Sequence, residues 1–155
     1  MEIAIIGGGA AGFFSAISAR KNYPEAKIVI FEKSEKILAK VKISGGGRCN
    51  LTNACSSLKE LSEAYPRGGK SLKKAFQIFN NQDAMQWFEE RGVALVIQED
   101  NCVFPASQDS QSIIDCFLTQ AKLLQIKIKL GSGVKGVTRI ENRLQLVIWS
   151  HKPLP

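Results

Sequence analysis

The chain has 155 residues and a mass of 17.0 kDa, enough for one buried core, and its 45% hydrophobic and 23% charged residues read as an ordinary soluble folded domain. No apolar run approaches the roughly 20 residues of a membrane helix, and a lone His151 with four scattered cysteines supplies neither a histidine triad nor a zinc grouping. Net charge is +7 with a pI near 9.4, which favours an anionic partner such as a phosphate-bearing cofactor, an acidic substrate or nucleic acid.

Glu2 to Ile6 is a short unbroken apolar run, the pattern of a strand covered on both faces of a parallel sheet. It is too short, and too acidic at its start, for a secretory leader, so a cytoplasmic protein is expected. A helix follows from about Ala10 to Asn22, with Phe13, Ala16, Ile17 and Arg20 on one face and Asn22-Tyr23-Pro24 as its stop. Lys27 to Phe31 is a second strand and closes a βαβ core over 1–32. Lys33 to Asn53 reads as a basic, glycine-rich loop. A helical segment spans 58–92, with Leu72, Phe76, Phe79, Met85 and Phe88 at helical spacing and Gly92 as its stop. Val93 to Ile97 and Cys102 to Phe104 suggest short strands. A helix, strand and hairpin fill 110–149: an amphipathic helix from about Ser112 to Leu124, capped by Ser112 with Asp115, then a strand over Ile126 to Leu130. Val134 to Ile140 and Leu144 to Trp149 form the hairpin, turning at Glu141, Asn142 and Arg143.

Gly7, Gly9 and Gly12 give G-x-G-x-x-G where the first strand becomes the first helix, which is the context the motif requires. Gly7 permits the tight turn, Gly9 lets the backbone approach a pyrophosphate, and Gly12 lets helix and strand pack closely. The amides of Gly8, Gly9, Ala10, Ala11 and Gly12 then form the positive end of the helix dipole. Glu32 ends the second strand 20 residues after Gly12, where such units place the carboxylate that accepts from the adenosine ribose. That charge repels a 2′-phosphate, so the expected ligand is the ADP half of a dinucleotide, FAD foremost, and NADP is disfavoured.

A second cluster, Ser44-Gly45-Gly46-Gly47-Arg48-Cys49-Asn50-Leu51-Thr52-Asn53, concentrates backbone amides, one cation and several amide or hydroxyl side chains. Such a glycine nest can bind an anion and Arg48 can pair with a phosphate; a flexible surface loop is the alternative from composition alone. S-G-G-G-R-C-N-L-T-N after a G-x-G-x-x-G unit and Glu32-Lys33 resembles the signature of the YhiN/BaiN flavoproteins, the BaiN/RdsA-type NAD(P)/FAD-dependent oxidoreductases. Lys40 in A-K-V-K-I-S, Val103-Phe104-Pro105-Ala106-Ser107 and Gly133-Val134 extend the resemblance over nearly the whole chain.

The resemblance implies an α/β fold: a Rossmann-like FAD domain of the glutathione-reductase type, with a parallel sheet, a β-hairpin or meander and the start of an inserted region. It assigns Gly7, Gly8, Gly9, Ala10, Ala11, Gly12, Glu32 and Lys33 to the ADP part and Val134, through its backbone, to adenine. It places Ser44, Gly45, Gly46, Gly47, Arg48, Cys49, Asn50 and Asn53 towards the pyrophosphate, ribitol or flavin ring, with Lys40 and Phe104-Pro105 near the flavin. It implies FAD as cofactor, NAD(P)H as candidate electron donor, and a small-molecule or RNA substrate. No catalytic acid or base, metal or membrane partner is implied. Leu38 stands where many relatives have glycine. Family members run to about twice this length or more, so an N-terminal portion is expected, inactive alone, lacking the C-terminal return segment and most of the inserted domain.

Two alternatives have their own residues. Cys49 and Cys55 could serve a flavin disulfide oxidoreductase, although their spacing is C-x5-C where that class uses C-x4-C. Lys70, Lys73 and Lys74 near Arg67 could belong to a non-catalytic nucleotide- or RNA-binding module, for which a solvated helix face is the simpler account. Cys102, Cys116, Trp87 and Trp149 read as packing residues, and so does Cys49, although a neighbouring cation gives its thiol some prospect of activation.

Overall fold

The structure, a computed structural model, describes residues 1–150, so His151 lies outside the described residues. In chain order its elements are β1 (Glu2–Ile6), α1 (Ala10–Asn22), β2 (Lys27–Phe31), α2 (Ala39–Ile43), a 3-10 turn (Ser44–Gly47), β3 (Thr52–Asn53), α3 (Leu58–Glu63), α4 (Gly69–Phe76) and α5 (Asn81–Glu89). There follow β4 (Leu95–Ile97), β5 (Cys102–Pro105), α6 (Gln111–Leu123), β6 (Lys127–Lys129), β7 (Ser132–Ile140) and β8 (Arg143–Ser150). Among the described residues no helix is long and apolar enough to cross a membrane. The chain divides into two compact units, one made of Met1–Val41 with the chain from Phe117 onward, the other of Lys42–Cys116.

The first unit is built on a parallel sheet in the order β1-β2-β6, with Glu2 opposite Lys27 and Val29 opposite Lys127. The βαβ core forms where its apolar periodicity places it. Phe13, Ala16 and Ile17 of α1 are buried with Ile28, Val29, Ile30 and Phe31 of β2, and the Phe13 ring meets Phe117 of α6 at 5.9 Å between centroids. Arg20, expected on the inward face, is half-buried and donates to the carbonyls of Leu124 at 3.0 Å and Ala26 at 2.7 Å. A cation is thereby held at the end of α1 that its dipole makes negative.

Two expectations are corrected here. The strand covered on both faces is β2, not β1: β1 alternates half-buried and exposed, and Ile6 is 57% exposed. The reason is position, since β1 is an edge strand of this sheet while β2 is central, and an apolar run cannot tell the two apart. The segment expected as loop after Lys33 contains the short helix α2 and a 3-10 turn. The hairpin β7-β8 does form, pairing Ile140 with Arg143 around Glu141 and Asn142, with a bulge between Val134 and Gly136.

The second unit carries an antiparallel sheet in the order β3-β5-β4, in which Thr52 faces Val103 and Val96 faces Phe104. Its core holds Val103, Phe104, Phe88, Val93, Leu61 and Ile113. Asn81 is also buried. Its side-chain amide donates to the carbonyls of Asn53 at 2.7 Å and Cys55 at 2.8 Å, so a buried polar side chain satisfies two backbone acceptors, the second of which also accepts a longer bond from Gln82 at 3.5 Å. Asn80 and Asp83 form the capping box of α5.

The cap expected on α6 is not the one found. Asp109 Oδ1 accepts from the Gln111 amide at 2.8 Å, whereas Ser112 lies inside the helix and Asp115 accepts from the Gln111 side chain. Asp109 offers a better-placed acceptor one turn earlier, and the helix starts from it. That amide holds the Asp109 carboxyl below its ordinary pKa, with some help from Lys42.

Candidate dinucleotide-binding site

The site in the first unit is built from the turn between β1 and α1. Gly7 has φ +105°, a backbone that L side chains rarely adopt, and its amide bonds the Phe31 carbonyl at 2.8 Å. A Cβ on Gly12 would fall 1.9 Å from the Gly7 carbonyl oxygen, so the close approach of helix and turn requires glycine. Gly9, by contrast, has an extended backbone with φ −86°, and a Cβ placed there meets no atom within 4 Å. The three glycines thus differ in their surroundings: one turns, one leaves open space, one packs.

Gly9 caps α1 without any side-chain hydrogen bond, the first turn holds no acidic residue, and Gly9, Ala10 and Ala11 are exposed. The first-turn amides of a helix lack intrahelical acceptors, so this end presents oriented N–H groups and the positive end of the dipole to whatever anion approaches.

Glu32 faces the turn. Its Oε2 accepts from the Gly8 amide at 2.7 Å, and its Oε1 accepts from both the amide and the hydroxyl of Ser34 at 2.9 Å each. A carboxylate offers about four acceptor positions, and the three bonds leave one, on Oε2, for a further donor. Burial pushes the Glu32 carboxyl upward in pKa, but the Ser34 and Gly8 donors and the Lys33 charge outweigh it and hold the group below its ordinary value. The carboxylate is therefore an anion at neutral pH, aimed by its own neighbours.

Ser34 is the residue that the sequence reading missed. A serine two positions after a strand-ending glutamate is the signal that could have found it, since such a side chain folds back on nearby backbone and carboxylates. The carbonyls of the same segment anchor the hairpin: Gly131 donates to Ser34 and Ser132 to Glu32. Val134 follows in β7, half-buried and beside the bulge. Lys33 is exposed next to Glu32, and Lys40 is exposed on α2.

Leu38 adopts φ +53°, the left-handed conformation that favours glycine, and donates to the Gly8 carbonyl at 2.8 Å. A non-glycine residue there costs about 1–2 kcal/mol. Its side chain is only 1% exposed, and burying a leucine returns about 1.5–3 kcal/mol, so this chain keeps the turn without the glycine.

The remaining predicted residues lie in the second unit. Gly45, Gly46 and Gly47 have φ of 56°, 69° and 89°, and a Cβ on Gly45 would fall 2.7 Å from the Asn50 amide nitrogen and 2.9 Å from the Phe104 ring. Ser110 ties the glycine turn to the end of α2: its amide bonds the Gly47 carbonyl at 2.8 Å and its hydroxyl bonds that of Lys42 at 3.0 Å. The guanidinium of Arg48 lies 4.2 Å from the Phe104 ring centroid and donates to Gly45 and Gln108 at 3.3 Å each. Asn50 reaches the Cys102 sulfur at 3.3 Å, and the Asn53 side chain accepts from the Cys55 amide at 2.9 Å. The Ser44 carbonyl accepts from the Cys49 amide at 2.9 Å.

Cys49 and Cys55 are buried free thiols, and all four cysteines are unpaired. Burial pushes both thiols up, against the thiolate that disulfide exchange requires, with Glu60 adding to the effect at Cys55. At Cys49 burial outweighs any lowering by the neighbouring cation, in keeping with the packing role expected of it.

Glycine turn, carboxylate and parallel βαβ unit together define a Rossmann-like dinucleotide-binding domain. Residues 1–153 match the family described as "HI0933-like protein Rossmann domain", and the chain belongs to that family. It is 29% identical over 134 residues to a 3-dehydro-bile acid delta(4,6)-reductase of Clostridium scindens, covering 86% of this chain and 31% of that protein. It is 30% identical over 143 residues to a ribosomal RNA dihydrouridine synthase of Haemophilus influenzae, covering 91% and 34%. The chain thus spans about a third of the length of these curated relatives. Among solved structures, quinol fumarate reductase of E. coli matches with a TM-score of 0.67 at 17% identity, over 96% of this chain and 29% of that one. A flavocytochrome c3 fumarate reductase matches with 0.63 at 22% identity, over 91% and 28%. These share the fold.

Proposed function

We propose that the first unit holds the ADP half of FAD, as part of a flavin-dependent reductase. The observation that carries the reading is the coupling of Glu32 to Gly8: one carboxylate steadies the glycine turn and keeps an acceptor position open beside it. The amides at the start of α1 face a diphosphate, Gly9 leaves it room, and Glu32 accepts from a ribose hydroxyl. The backbone of Val134 serves the adenine. The residues present fit the group, because the first turn of α1 has no side chain acting as its own cap and no acid to repel phosphate.

When bound, FAD would supply the two-electron chemistry, accepting a hydride from NAD(P)H and delivering it to an organic substrate or an RNA uridine. The relatives' names support this range of substrates, since one reduces a bile acid derivative and the other makes dihydrouridine in ribosomal RNA. What this chain's own residues contribute is binding and orientation. Arg48, fixed over Phe104, holds a cation at one place in the second unit, and we assign it to an anionic group.

Titration of the purified protein with FAD and with ADP, followed by calorimetry, tests the proposal. Glu32→Gln keeps the shape and removes the charge. An affinity loss of roughly 10- to 100-fold for both ligands is expected, from the 1.5–3 kcal/mol of a charged hydrogen bond. Unchanged affinity for both would remove the proposed site.

A further inference from the structure

The stretch from Ala64 to Asn80 contains Arg67, Lys70, Lys73 and Lys74 and no acidic residue, so it carries four of the charges that make the chain +7. On α4, Lys70, Lys73 and Lys74 stand at i, i+3 and i+4 and share one face, and Arg67 precedes Lys70 by a further three positions. All four side chains are exposed, and none forms an ion pair among the described residues. Carboxylates on the adjacent elements are engaged elsewhere: Glu63 lies 4.0 Å from Lys59, and Asp83 accepts from the Asn80 amide at 2.8 Å. Glu60 lies in the first turn of α3.

The other face of α4 is apolar and partly covered. Leu72 and Phe76 are half-buried, and the Phe76 ring meets that of Tyr65 at 5.6 Å between centroids. Tyr65 itself remains 45% exposed at the head of the cationic stretch. Unneutralised cations repel one another, so such a face is stabilised by an anionic polymer that spans it.

We propose that this face of the second unit is a docking surface for single-stranded RNA. Its phosphates lie against Arg67, Lys70, Lys73 and Lys74, and one base stacks on Tyr65. An anionic bilayer fits less well, because a helix lying on a membrane needs a free apolar face along its length, whereas on α4 Leu72 and Phe76 are half-buried and the exposed Ile78 and Phe79 lie beyond its end. The inference rests on the RNA branch of the function proposed above and not on flavin binding.

The test uses fluorescence anisotropy of a labelled uridine-rich RNA oligonucleotide over a series of salt concentrations. Four phosphate contacts at about 0.7 each predict a slope of log K against log[salt] near −3 for the unaltered protein. The combined variant Arg67→Gln, Lys70→Gln, Lys73→Gln, Lys74→Gln should bring that slope close to zero. Tyr65→Leu should weaken binding roughly tenfold at unchanged slope. The melting temperature and the FAD affinity of these variants should stay as they are, which separates docking from folding and from the cofactor site. A wild-type protein that ignores RNA, a slope unmoved by the combined variant, or binding to phosphatidylserine vesicles in place of RNA would overturn the proposal. RNA binding with the expected slope in protein that takes up no FAD would sustain it while removing the flavin reading.

Discussion

Replacing Gly12 with alanine places a methyl carbon 1.9 Å from the Gly7 carbonyl oxygen, where ordinary contact begins at 3.4 Å. The Gly7 oxygen is backbone and the position of the added methyl is fixed by backbone geometry, so no rotamer change relieves the overlap; either α1 moves away from β1 or the turn at Gly7 opens. Overpacking costs about 1–3 kcal/mol, and a backbone collision of this depth belongs at the upper end. At about 2–4 °C per kcal/mol for a chain of this size, the melting temperature of Gly12→Ala should fall by roughly 6–12 °C. Gly9→Ala is the matched control, because its φ of −86° accepts alanine and no atom lies within 4 Å of the added carbon. It should melt within about 2 °C of the parent, since a surface change away from packed groups is worth roughly 0.5 kcal/mol or less, and yet lose ADP affinity about tenfold by occupying the space left for the diphosphate. Thermal melts with calorimetric ADP titration of both variants decide it. A Gly12→Ala protein as stable as the parent, or a Gly9→Ala protein that binds ADP normally, would refute the division of labour among the glycines.

Acid should weaken ligand binding and the first unit through Glu32. Its folded pKa is depressed, so its contribution is complete above the ordinary value of 4.5 and is lost as pH falls through the folded value. Ser34→Ala removes one of the donors that depress it and should move the onset of that loss to higher pH, Ser34→Thr should restore it, and Glu32→Gln should abolish it in ADP titrations from pH 3 to 7 (roughly the range that brackets a carboxyl). Asn81→Ala removes the donor that the Asn53 carbonyl takes from this side chain and the shorter of the two at Cys55, and should cost about 1–3 kcal/mol in urea unfolding; no loss would show that water or Gln82 replaces the amide. In native thiol labelling Cys102, which is only half-buried, should react first, while Cys49, Cys55 and Cys116 should wait for unfolding; rapid labelling of Cys49 would reinstate a reactive role for it.

The elements whose partners are close in sequence could be read from residue order alone. The boundaries of β1, α1 and β2 coincide with those expected, because a strand, a glycine turn and a helix are set by local periodicity and by the φ that only glycine supplies cheaply. The hairpin turn at Glu141 and Asn142 was legible for the same reason. The SGGGRCNLTN loop stood out by composition, but not the manner of its fixing. That depends on Ser110, more than sixty positions away, whose amide holds the Gly47 carbonyl and whose buried side chain holds that of Lys42 just before the loop.

What residue order could not supply is the set of contacts made by atoms far apart along the chain. Glu32 was placed correctly at the end of β2, whereas its bonds to Gly8 and Ser34 depend on the pairing of β1 with β2 and on the turn that follows. The exposure of β1 follows from its place at the sheet edge, and the left-handed Leu38 is tolerated because the folded core buries its side chain. Local sequence chooses among backbone conformations that differ by about a kilocalorie per mole, whereas burial and long-range hydrogen bonds, worth as much or more, appear only once the chain has folded.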